Sequence, residues 1–280
     1  MSAQIGNWLI TGASSGFGES LANAVLAQGG KVTATFRKPE QANAFAAKAP
    51  GRSFAAVMDV CDAASVDAGI AKALADMGNI DVLVNNAGYA LRGLQEQVSD
   101  EEVVKQLDTN VMGVIRVTRA VLPSMREQKS GHIINISSVA GTCTFPTLGL
   151  YCASKHAVIG LSGSLGQEVG SLGIKVTCVE PGGFRTKFGS SSMVQAAAAA
   201  AGEYSPLLDK MAEMAKNSAA WGRGDPDIAA QRLIMLTQMD KPPSNLALGD
   251  DALPMIQGAI EGRQSSYAQS AALGQGTSFE

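Results

Sequence analysis

Short apolar runs alternate with amphipathic stretches from start to finish of the chain. The runs are four to six residues long, rich in Val, Ile and Thr, and bounded by Gly, Asp or Pro, which is typical of buried strands. In the stretches between them apolar residues recur at helical spacing, as in residues 20–28. Gly29 and Gly30 follow that stretch and are typical of a helix C-cap. The predicted strands are residues 8–11, 31–36, 53–58, 81–84, 132–137 and 175–179, with 246–249 as a candidate seventh.

Strands that alternate with helices predict a parallel sheet, because each return to the same sheet edge needs a crossover helix. We expect one α/β domain over residues 1–280, built on a doubly wound parallel sheet of about seven strands with helices on both faces. The pattern weakens between Phe188 and Pro226. A flexible linker would explain this, but we expect a substrate-lid insertion at about 188–225. We also expect a C-terminal extension at about 251–280, whose tail from Gln264 packs loosely on the surface.

Composition and charge exclude several classes of partner. The net charge of −3 and the 17% of charged residues leave no basic footprint for a nucleic acid. Every apolar run is far shorter than the ~20 residues of a membrane span, and residues 1–7 lack the pattern of a signal peptide. The four cysteines show no CxxC spacing, and there are two histidines. We therefore expect a cytoplasmic protein without a metal site and without a nucleic-acid or membrane partner.

A glycine loop follows the first predicted strand and opens a helix. It carries Gly12, Gly16 and Gly18 in the spacing Gly-x-x-x-Gly-x-Gly, and no lysine follows as a P-loop requires. Glycines permit a tight turn and a close approach of the backbone, and the helix N-terminus offers free N–H groups. The loop therefore predicts a phosphate-binding site, against the alternative of a glycine-rich turn with no ligand.

The end of the second predicted strand indicates which dinucleotide binds. An Asp or Glu there would accept hydrogen bonds from a free ribose 2′-hydroxyl, but the sequence has Arg37 and Lys38. A guanidinium at Arg37 could pair with a 2′-phosphate, and Ser15 could add a hydroxyl donor. We therefore favour NADP (NADPH) over NAD, against the alternative of a solvated basic turn.

Polar residues also end the third and fourth predicted strands. Asp59 follows the third and Asn85-Asn86-Ala87-Gly88 follows the fourth, at the carboxyl edge where open α/β sheets bind ligands. A carboxylate there could accept a hydrogen bond from an adenine amino group. Asp59 could equally cap the helix that follows it, and without the other motifs capping would be the preferred interpretation.

Tyr151, Lys155 and Ser138 are the candidate reacting groups. A free tyrosine has a pKa near ~10, and a nearby ammonium and a positive nicotinamide would lower that pKa. Tyr151 and Lys155 share one face if residues 150–170 are helical. Ser138, after the fifth predicted strand, could hold a substrate oxygen while Tyr151 transfers a proton. The alternative is a packed tyrosine beside a lysine whose ammonium reaches solvent.

These motifs resemble the short-chain dehydrogenase/reductase family, in its compact single-domain branch, over about residues 5–190. The resemblance implies a Rossmann fold, with Tyr151 as general acid/base, Lys155 on the nicotinamide ribose and Ser138 on the carbonyl. Asn110 matches the asparagine of the family's water-linked proton relay through Lys155. From the sequence alone Asn110 would be only a polar residue inside a helix.

The same resemblance places Pro181, Gly182 and Thr186 beside the nicotinamide and assigns Arg37 to the NADP-preferring pattern. Phe184 departs from the small aliphatic residue that is usual there, so it would crowd the nicotinamide or line the substrate pocket. The predicted cofactor-binding residues are Gly12, Ser14, Ser15, Gly16, Phe17, Gly18, Arg37, Asp59, Val60, Asn86, Ala87, Gly88, Asn110, Tyr151, Lys155, Pro181, Gly182 and Thr186.

The leading hypothesis is an NADP(H)-dependent carbonyl reductase or alcohol dehydrogenase that acts on a fairly hydrophobic small molecule. The alternatives are an NADP-binding sensor or scaffold without catalysis, and an epimerase or dehydratase of nucleotide sugars, which normally has a different glycine spacing and a larger C-terminal domain. We expect a homo-oligomer, a dimer through residues 111–127 and 150–170 or a tetramer. The predicted substrate pocket comprises Phe145, Leu148, Phe184, Phe188, Met193, Tyr204, Leu207, Met211 and Met214.

Overall fold

A parallel β-sheet forms the centre of the computed structural model, which describes residues 5–186, 192–197, 202–216 and 223–278. The strands are β1 (Asn7–Ile10), β2 (Lys31–Phe36), β3 (Ser53–Val57), β4 (Val82–Asn85), β5 (Ala90–Arg92), β6 (Gly131–Ile136), β7 (Ile174–Pro181), β8 (Met193–Gln195) and β9 (Asn245–Leu248). Seven of them form one sheet in the order β3-β2-β1-β4-β6-β7-β9. Every neighbouring pair in it is parallel, so the carboxyl ends of these strands meet at one edge.

Helices cover both faces of this sheet. They are α1 (Gly16–Ala27), α2 (Pro39–Ala46), α3 (Ala63–Met77), α4 (Asp100–Leu107), α5 (Gly113–Gln128), α6 (Gly149–Val169), α7 (Ser205–Lys216), α8 (Pro226–Thr237) and α9 (Ala252–Gly274). Successive residues of β1 point to opposite faces. Trp8 belongs to the same buried cluster as Leu21 of α1 and Leu233 of α8, whereas Leu9 belongs to a cluster with Val117 of α5.

The doubly wound α/β fold predicted from the sequence is confirmed. Each of the seven predicted strands is present, and its ends lie within about two residues of the predicted ones. The sequences of these strands are continuous apolar runs because both faces of the sheet are buried under helices. Helix α1 begins at Gly16, before the apolar repeat, because the end of the glycine loop forms its first turn. Gly29 follows it with φ +88°, a conformation that favours glycine.

A second, two-stranded parallel sheet was not predicted. It pairs β5 with β8 beside the carboxyl edge of the main sheet. Strands of three residues are too short to show an alternating pattern. The helix α9, which the sequence did not predict, continues to Gly274, and every described residue from Glu261 onward is exposed.

The region of the expected lid is described in parts. It contains β8, a 3-10 turn at Gly202–Tyr204 and the helix α7. Phe188 and Trp221 lie outside the described residues, as does the side chain of Met214. The lid therefore stays a prediction.

No helix in the described ranges has the length and apolarity needed to cross a membrane. The same ranges hold no group of three or more His, Cys, Asp or Glu side chains placed to bind a metal ion.

Candidate active site

A cleft of about 1760 Å³ opens at the carboxyl edge of the main sheet. It collects residues that are far apart in sequence, because the loops after β1, β2, β3, β4, β6 and β7 converge there. Gly18 and Asn110 are outside its lining, and both contact residues that belong to it. The predicted site residues that line the cleft are Gly12, Ser14, Ser15, Gly16, Phe17, Arg37, Asp59, Val60, Asn86, Ala87, Gly88, Ser138, Tyr151, Lys155, Pro181, Gly182 and Thr186.

Two glycines of the loop after β1 have backbones that other residues rarely adopt. Gly12 has φ +66° and Gly16 has φ +60°, both in the left-handed region. Gly18 is needed for a different reason, since a Cβ there would lie 2.6 Å from the Gly12 oxygen and 2.6 Å from Asn86 Nδ2. The loop is therefore a tight cradle at the N-terminus of α1, which suits a phosphate group.

Thr11 and Asn86 hold this cradle against the end of β4. Thr11 Oγ1 accepts hydrogen bonds from the backbone N–H groups of Asn86 (2.9 Å) and Ala87 (3.0 Å). Asn86 Nδ2 donates to the carbonyl oxygens of Thr11 (2.8 Å) and Gly12 (3.0 Å). The amide of Asn86 thus orders the loop, although we had expected it only as a cofactor contact.

Ser15 and Arg37 leave polar groups available at the adenosine end of the cleft. Ser15 is the N-cap residue of α1, but its side chain makes no capping hydrogen bond. Arg37 is exposed beyond the end of β2 and forms no ion pair with any residue of the described ranges. A guanidinium and a hydroxyl in these positions are hydrogen-bond donors that a ligand of the cleft could use.

The choice between two roles for Asp59 is decided by its contacts. Helix α3 is capped by Asp62, which accepts a hydrogen bond from the Ala64 N–H at 2.9 Å. Asp59 instead accepts from the Cys61 N–H at 2.9 Å and lines the cleft. Asp59 is therefore not the helix cap that the sequence left open.

Tyr151, Ser138 and Lys155 meet at the inner wall of the cleft. Tyr151 is buried in the first turn of α6, and its hydroxyl hydrogen-bonds with the side chain of Ser138. Ser138 Oγ also accepts from the Ala140 N–H at 3.1 Å. Lys155 Nζ donates to the Ile136 oxygen at 2.8 Å and lies 5.8 Å from the centre of the Tyr151 ring. The three reacting groups predicted from the sequence thus lie together.

Asn110 lies in a π-turn, Asp108–Met112, between α4 and α5. Its Oδ1 accepts from the Tyr89 N–H at 3.1 Å, and its Nδ2 donates to the Tyr89 oxygen at 2.9 Å and to Ser154 Oγ at 3.1 Å. Turns of this kind are frequent at functional sites. The side-chain amide therefore holds the loop after β4 against α6.

The loop after β7 closes the opposite side of the cleft. Gly182 donates its N–H to the Leu248 oxygen at 2.9 Å, and Gly183 donates to Asp251 Oδ2 at 2.8 Å. Phe184 packs edge-to-face on Phe17 of the glycine loop, with ring centres 4.8 Å apart. Phe17 and Phe184 therefore join the two loops that flank the cleft.

Comparisons with known proteins agree with this arrangement. The short chain dehydrogenase family model matches residues 7–196. The chain belongs to the short-chain dehydrogenase/reductase family. Over 255 residues it is 38% identical to Oxidoreductase BOA17 of Botryotinia fuckeliana, covering 91% of this chain and 92% of that protein.

Two solved structures extend the likeness from sequence to fold. A short-chain dehydrogenase from Streptomyces avermitilis is 36% identical, with a TM-score of 0.88 over 97% of this chain and 99% of that one. A serine dehydrogenase complexed with NADP+ is 30% identical, with a TM-score of 0.73 over 86% of this chain and 93% of that one. Among the matched structures both NADP+ and NADH complexes occur. The chain is thus an oxidoreductase whose cleft fits a nicotinamide dinucleotide.

Within this short-chain dehydrogenase, Phe184 is held by neighbouring loops that the sequence did not connect with it. A Cβ on Gly224 would lie 2.4 Å from the Phe184 ring, and one on Gly249 would lie 3.1 Å from it. The two glycines therefore make room for the ring, which packs against the core beside Phe17. Phe184 still contributes to the cleft lining, but neighbouring loops fix its position.

An apolar wall borders the reacting groups. Tyr151 is buried with Ala90, Ala140 and Cys152, and Phe145, Leu148 and Met193 pack against this cluster. Leu207 and Met211 of α7 also line the cleft, whereas Tyr204 does not. Of the predicted pocket residues with described side chains, all except Tyr204 therefore line the cleft.

Burial controls the protonation of the central pair. It raises the pKa of the Tyr151 phenol, and the hydrogen bond with Ser138 offsets part of that rise. It lowers the pKa of the Lys155 ammonium to about 8. The lowering of the Tyr151 pKa that we expected beside Lys155 and an oxidised nicotinamide does not occur in the chain alone, where burial is the largest influence. Tyr151 therefore carries its proton at neutral pH.

The lowered pKa of Lys155 makes stability depend on pH. Between about pH 8 and 10.5 the unfolded chain keeps a proton on Lys155 that the folded chain has lost, so the free energy of unfolding should rise with pH. The rise should approach about 1.4 kcal/mol per pH unit relative to Lys155→Met. Denaturant unfolding at about pH 7.5 and about pH 9.5 measures it, with the exposed Lys241→Met as control. Equal pH dependence in wild type and Lys155→Met would contradict the assignment.

Some residues of this site were missed in the sequence. Thr11 and Thr35 hold the glycine loop through their side chains, Thr35 Oγ1 by accepting from the Gly12 N–H at 3.3 Å. Both look like ordinary strand threonines in the sequence. Arg92 lines the cleft from β5, and a strand of three residues leaves no signal in the sequence that could have found it.

Proposed function

We propose that the protein is an NADP(H)-dependent oxidoreductase that interconverts a ketone or aldehyde and an alcohol, with Tyr151 as general acid/base. The observation that carries this proposal is the hydrogen bond between Ser138 and a buried Tyr151, beside the Lys155 ammonium. A protein that only binds a dinucleotide has no need of these three groups together at the cleft wall.

The geometry supports a separate role for each reacting group in the reduction of a carbonyl. A bound reduced nicotinamide supplies the hydride that the carbonyl carbon accepts. Ser138 donates a hydrogen bond to the carbonyl oxygen, and Tyr151 donates the proton that this oxygen takes up. The positive charge of Lys155 then stabilises the phenolate that remains. Alcohol oxidation reverses these steps.

Arg37 supports NADP as the preferred cofactor. Its guanidinium lies exposed at the end of β2 without an ion pair among the described residues. A 2′-phosphate is the group on this cofactor that a free guanidinium binds best. Since related structures hold either dinucleotide, the preference rests on this residue of the chain.

Arg37→Asp should shift the cofactor preference towards NAD by at least about 10-fold, because the carboxylate repels the 2′-phosphate and accepts from the ribose hydroxyls. The ratio of kcat/KM with NADPH to that with NADH measures the shift. Lys241→Asp reverses a charge on an exposed residue outside the cleft and should leave the ratio unchanged. Equal use of both cofactors by the wild type would refute the NADP assignment.

The apolar wall supports a fairly hydrophobic carbonyl substrate. Cofactor oxidation with a panel of ketones and aldehydes tests this, from small polar compounds to long-chain ones. We expect turnover that increases with apolar surface. Tight dinucleotide binding with no turnover on any member would favour the alternative of a sensor or scaffold without catalysis.

Homo-oligomerisation through α5 and α6 is part of the proposal. A Cβ on Gly160, Gly163 or Gly170 would meet no atom within 4 Å, so this side of α6 is open for close approach by a second copy. All four cysteines are free, which fits the reducing conditions of the proposed cytoplasmic location.

A further inference from the structure

Arg92 is held at a fixed point of the substrate side of the cleft. It ends β5, and its carbonyl oxygen accepts from the Ala196 N–H at 2.8 Å. The next residue, Gly93, donates its N–H to the Thr147 oxygen at 2.9 Å. A Cβ on Gly93 would lie 2.6 Å from the Ala196 Cβ, so the two strands approach closely. The backbone that carries Arg92 is therefore anchored on both sides.

The side chain of Arg92 lies on the strand face that is directed towards the reacting groups. Residues two apart on a strand point to the same face, and Ala90 is packed in one cluster with Tyr151. Arg92 itself lines the cleft. One strand step of two residues advances about 7 Å, so the backbone of Arg92 lies about that far along β5 from Ala90, which packs with Tyr151.

This guanidinium has no anionic partner in the described ranges. The ion pairs found there are Lys72–Asp76 and Arg116–Asp108. Arg92 Nε is buried and has no hydrogen-bond acceptor among the same residues. A buried donor that lacks an acceptor is costly unless a ligand supplies one.

Glu102, an acid that lines the same cleft, is already engaged. Its Oε2 accepts from the Ser99 N–H at 3.0 Å in the capping box of α4. Its Oε1 accepts from the Ala197 N–H at 3.0 Å. Glu102 therefore ties α4 to the segment after β8, and neither it nor any other acid of the described ranges forms an ion pair with Arg92.

We propose that Arg92 binds the carboxylate of the substrate, so that the substrate is an oxo acid or hydroxy acid whose carbonyl or hydroxyl lies at Tyr151. A planar guanidinium donates two parallel hydrogen bonds to a carboxylate, and such charge-assisted pairs are strong where water is limited. The apolar wall then takes up the carbon chain between the two ends. This inference rests on the proposed function, because it places the reacting end at Tyr151.

The test compares oxo acids with their neutral methyl esters. Acetoacetate, levulinate and a ten-carbon oxo acid, each with its methyl ester, are assayed with NADPH on wild type, Arg92→Met, Arg92→Lys and Lys210→Met. In the wild type we expect the kcat/KM of at least one of the three acids to exceed that of its methyl ester by about 10-fold or more. Arg92→Met should abolish this preference through KM, while the ester keeps its wild-type kcat. Arg92→Lys should retain part of this preference. Lys210→Met should retain all of it, because Lys210 is a second basic residue of the cleft lining but is exposed on α7 rather than fixed on β5.

Binding gives a readout that needs no turnover. Calorimetry of each acid and ester with the protein saturated with NADP+ should show the same preference, and its loss in Arg92→Met. Equal binding of acid and ester in the wild type, or a preference that survives Arg92→Met, overturns the inference. A stronger preference for hydroxyacetone phosphate than for any acid overturns the carboxylate assignment. Acid-selective binding without turnover supports the role of Arg92 and refutes the proposed function instead.

Discussion

Tyr151→Phe should lower kcat by about 10²-fold to 10⁴-fold, the range typical of a lost general acid. The variant removes the phenolic oxygen that hydrogen-bonds with Ser138 and keeps the ring that packs with Ala90 and Cys152. The fold and the affinity for cofactor should therefore change little. Steady-state kinetics, together with a fluorescence titration of NADPH, measures both quantities.

Tyr267→Phe is the matched control, because its side chain is 67% exposed on α9, away from the cleft. It should keep wild-type kcat. If Tyr151→Phe retains more than about a tenth of wild-type turnover, a different group supplies the proton and the proposed role of Tyr151 is wrong.

Gly18→Ala should weaken cofactor binding by roughly 30-fold or more. The new methyl group would lie 2.6 Å from the Gly12 oxygen, and a backbone atom cannot move away as a flexible side chain can. Overpacking of this kind costs about 1–3 kcal/mol, and here the strain falls on the loop that Asn86 holds. Cofactor titration and thermal unfolding measure the two consequences, a higher Kd and a lower Tm.

Gly258→Ala makes the same chemical change where there is room. A Cβ on Gly258 of α9 meets no atom within 4 Å, and alanine is the better helix former. This control should keep the cofactor Kd and hold or raise Tm. Unchanged cofactor binding in Gly18→Ala would mean that the loop does not cradle the dinucleotide.

The reacting groups and the cofactor loop could be found in the sequence because their chemistry is local. Gly12 and Gly16 are needed for their own backbone angles, and Tyr151 and Lys155 share a helix face by their spacing alone. Ser138 could be added because it follows a strand, and the carboxyl ends of parallel strands share one edge.

Other residues could not be placed from the sequence because their positions depend on distant neighbours. The sequence left Phe184 open between crowding the nicotinamide and lining the substrate pocket, and the structure shows that Gly224 and Gly249 make space for its ring. Asp59 could have capped α3, but Asp62 does so. The pKa of Tyr151 was expected to fall beside Lys155 and an oxidised nicotinamide, and in the chain alone burial raises it.

The sequence by itself determined the order of strands and helices, the doubly wound sheet and the dinucleotide loop, because these depend on periodicity and on single-residue backbone preferences. Only the tertiary structure decided what Asn86 holds, where Phe184 packs and that Arg92 lines the cleft. Those properties follow from which loops meet at the sheet edge, and a short strand such as β5 leaves no periodic signal. Burial likewise exists only in the folded chain, so the altered pKa values of Tyr151 and Lys155 belong to the structure.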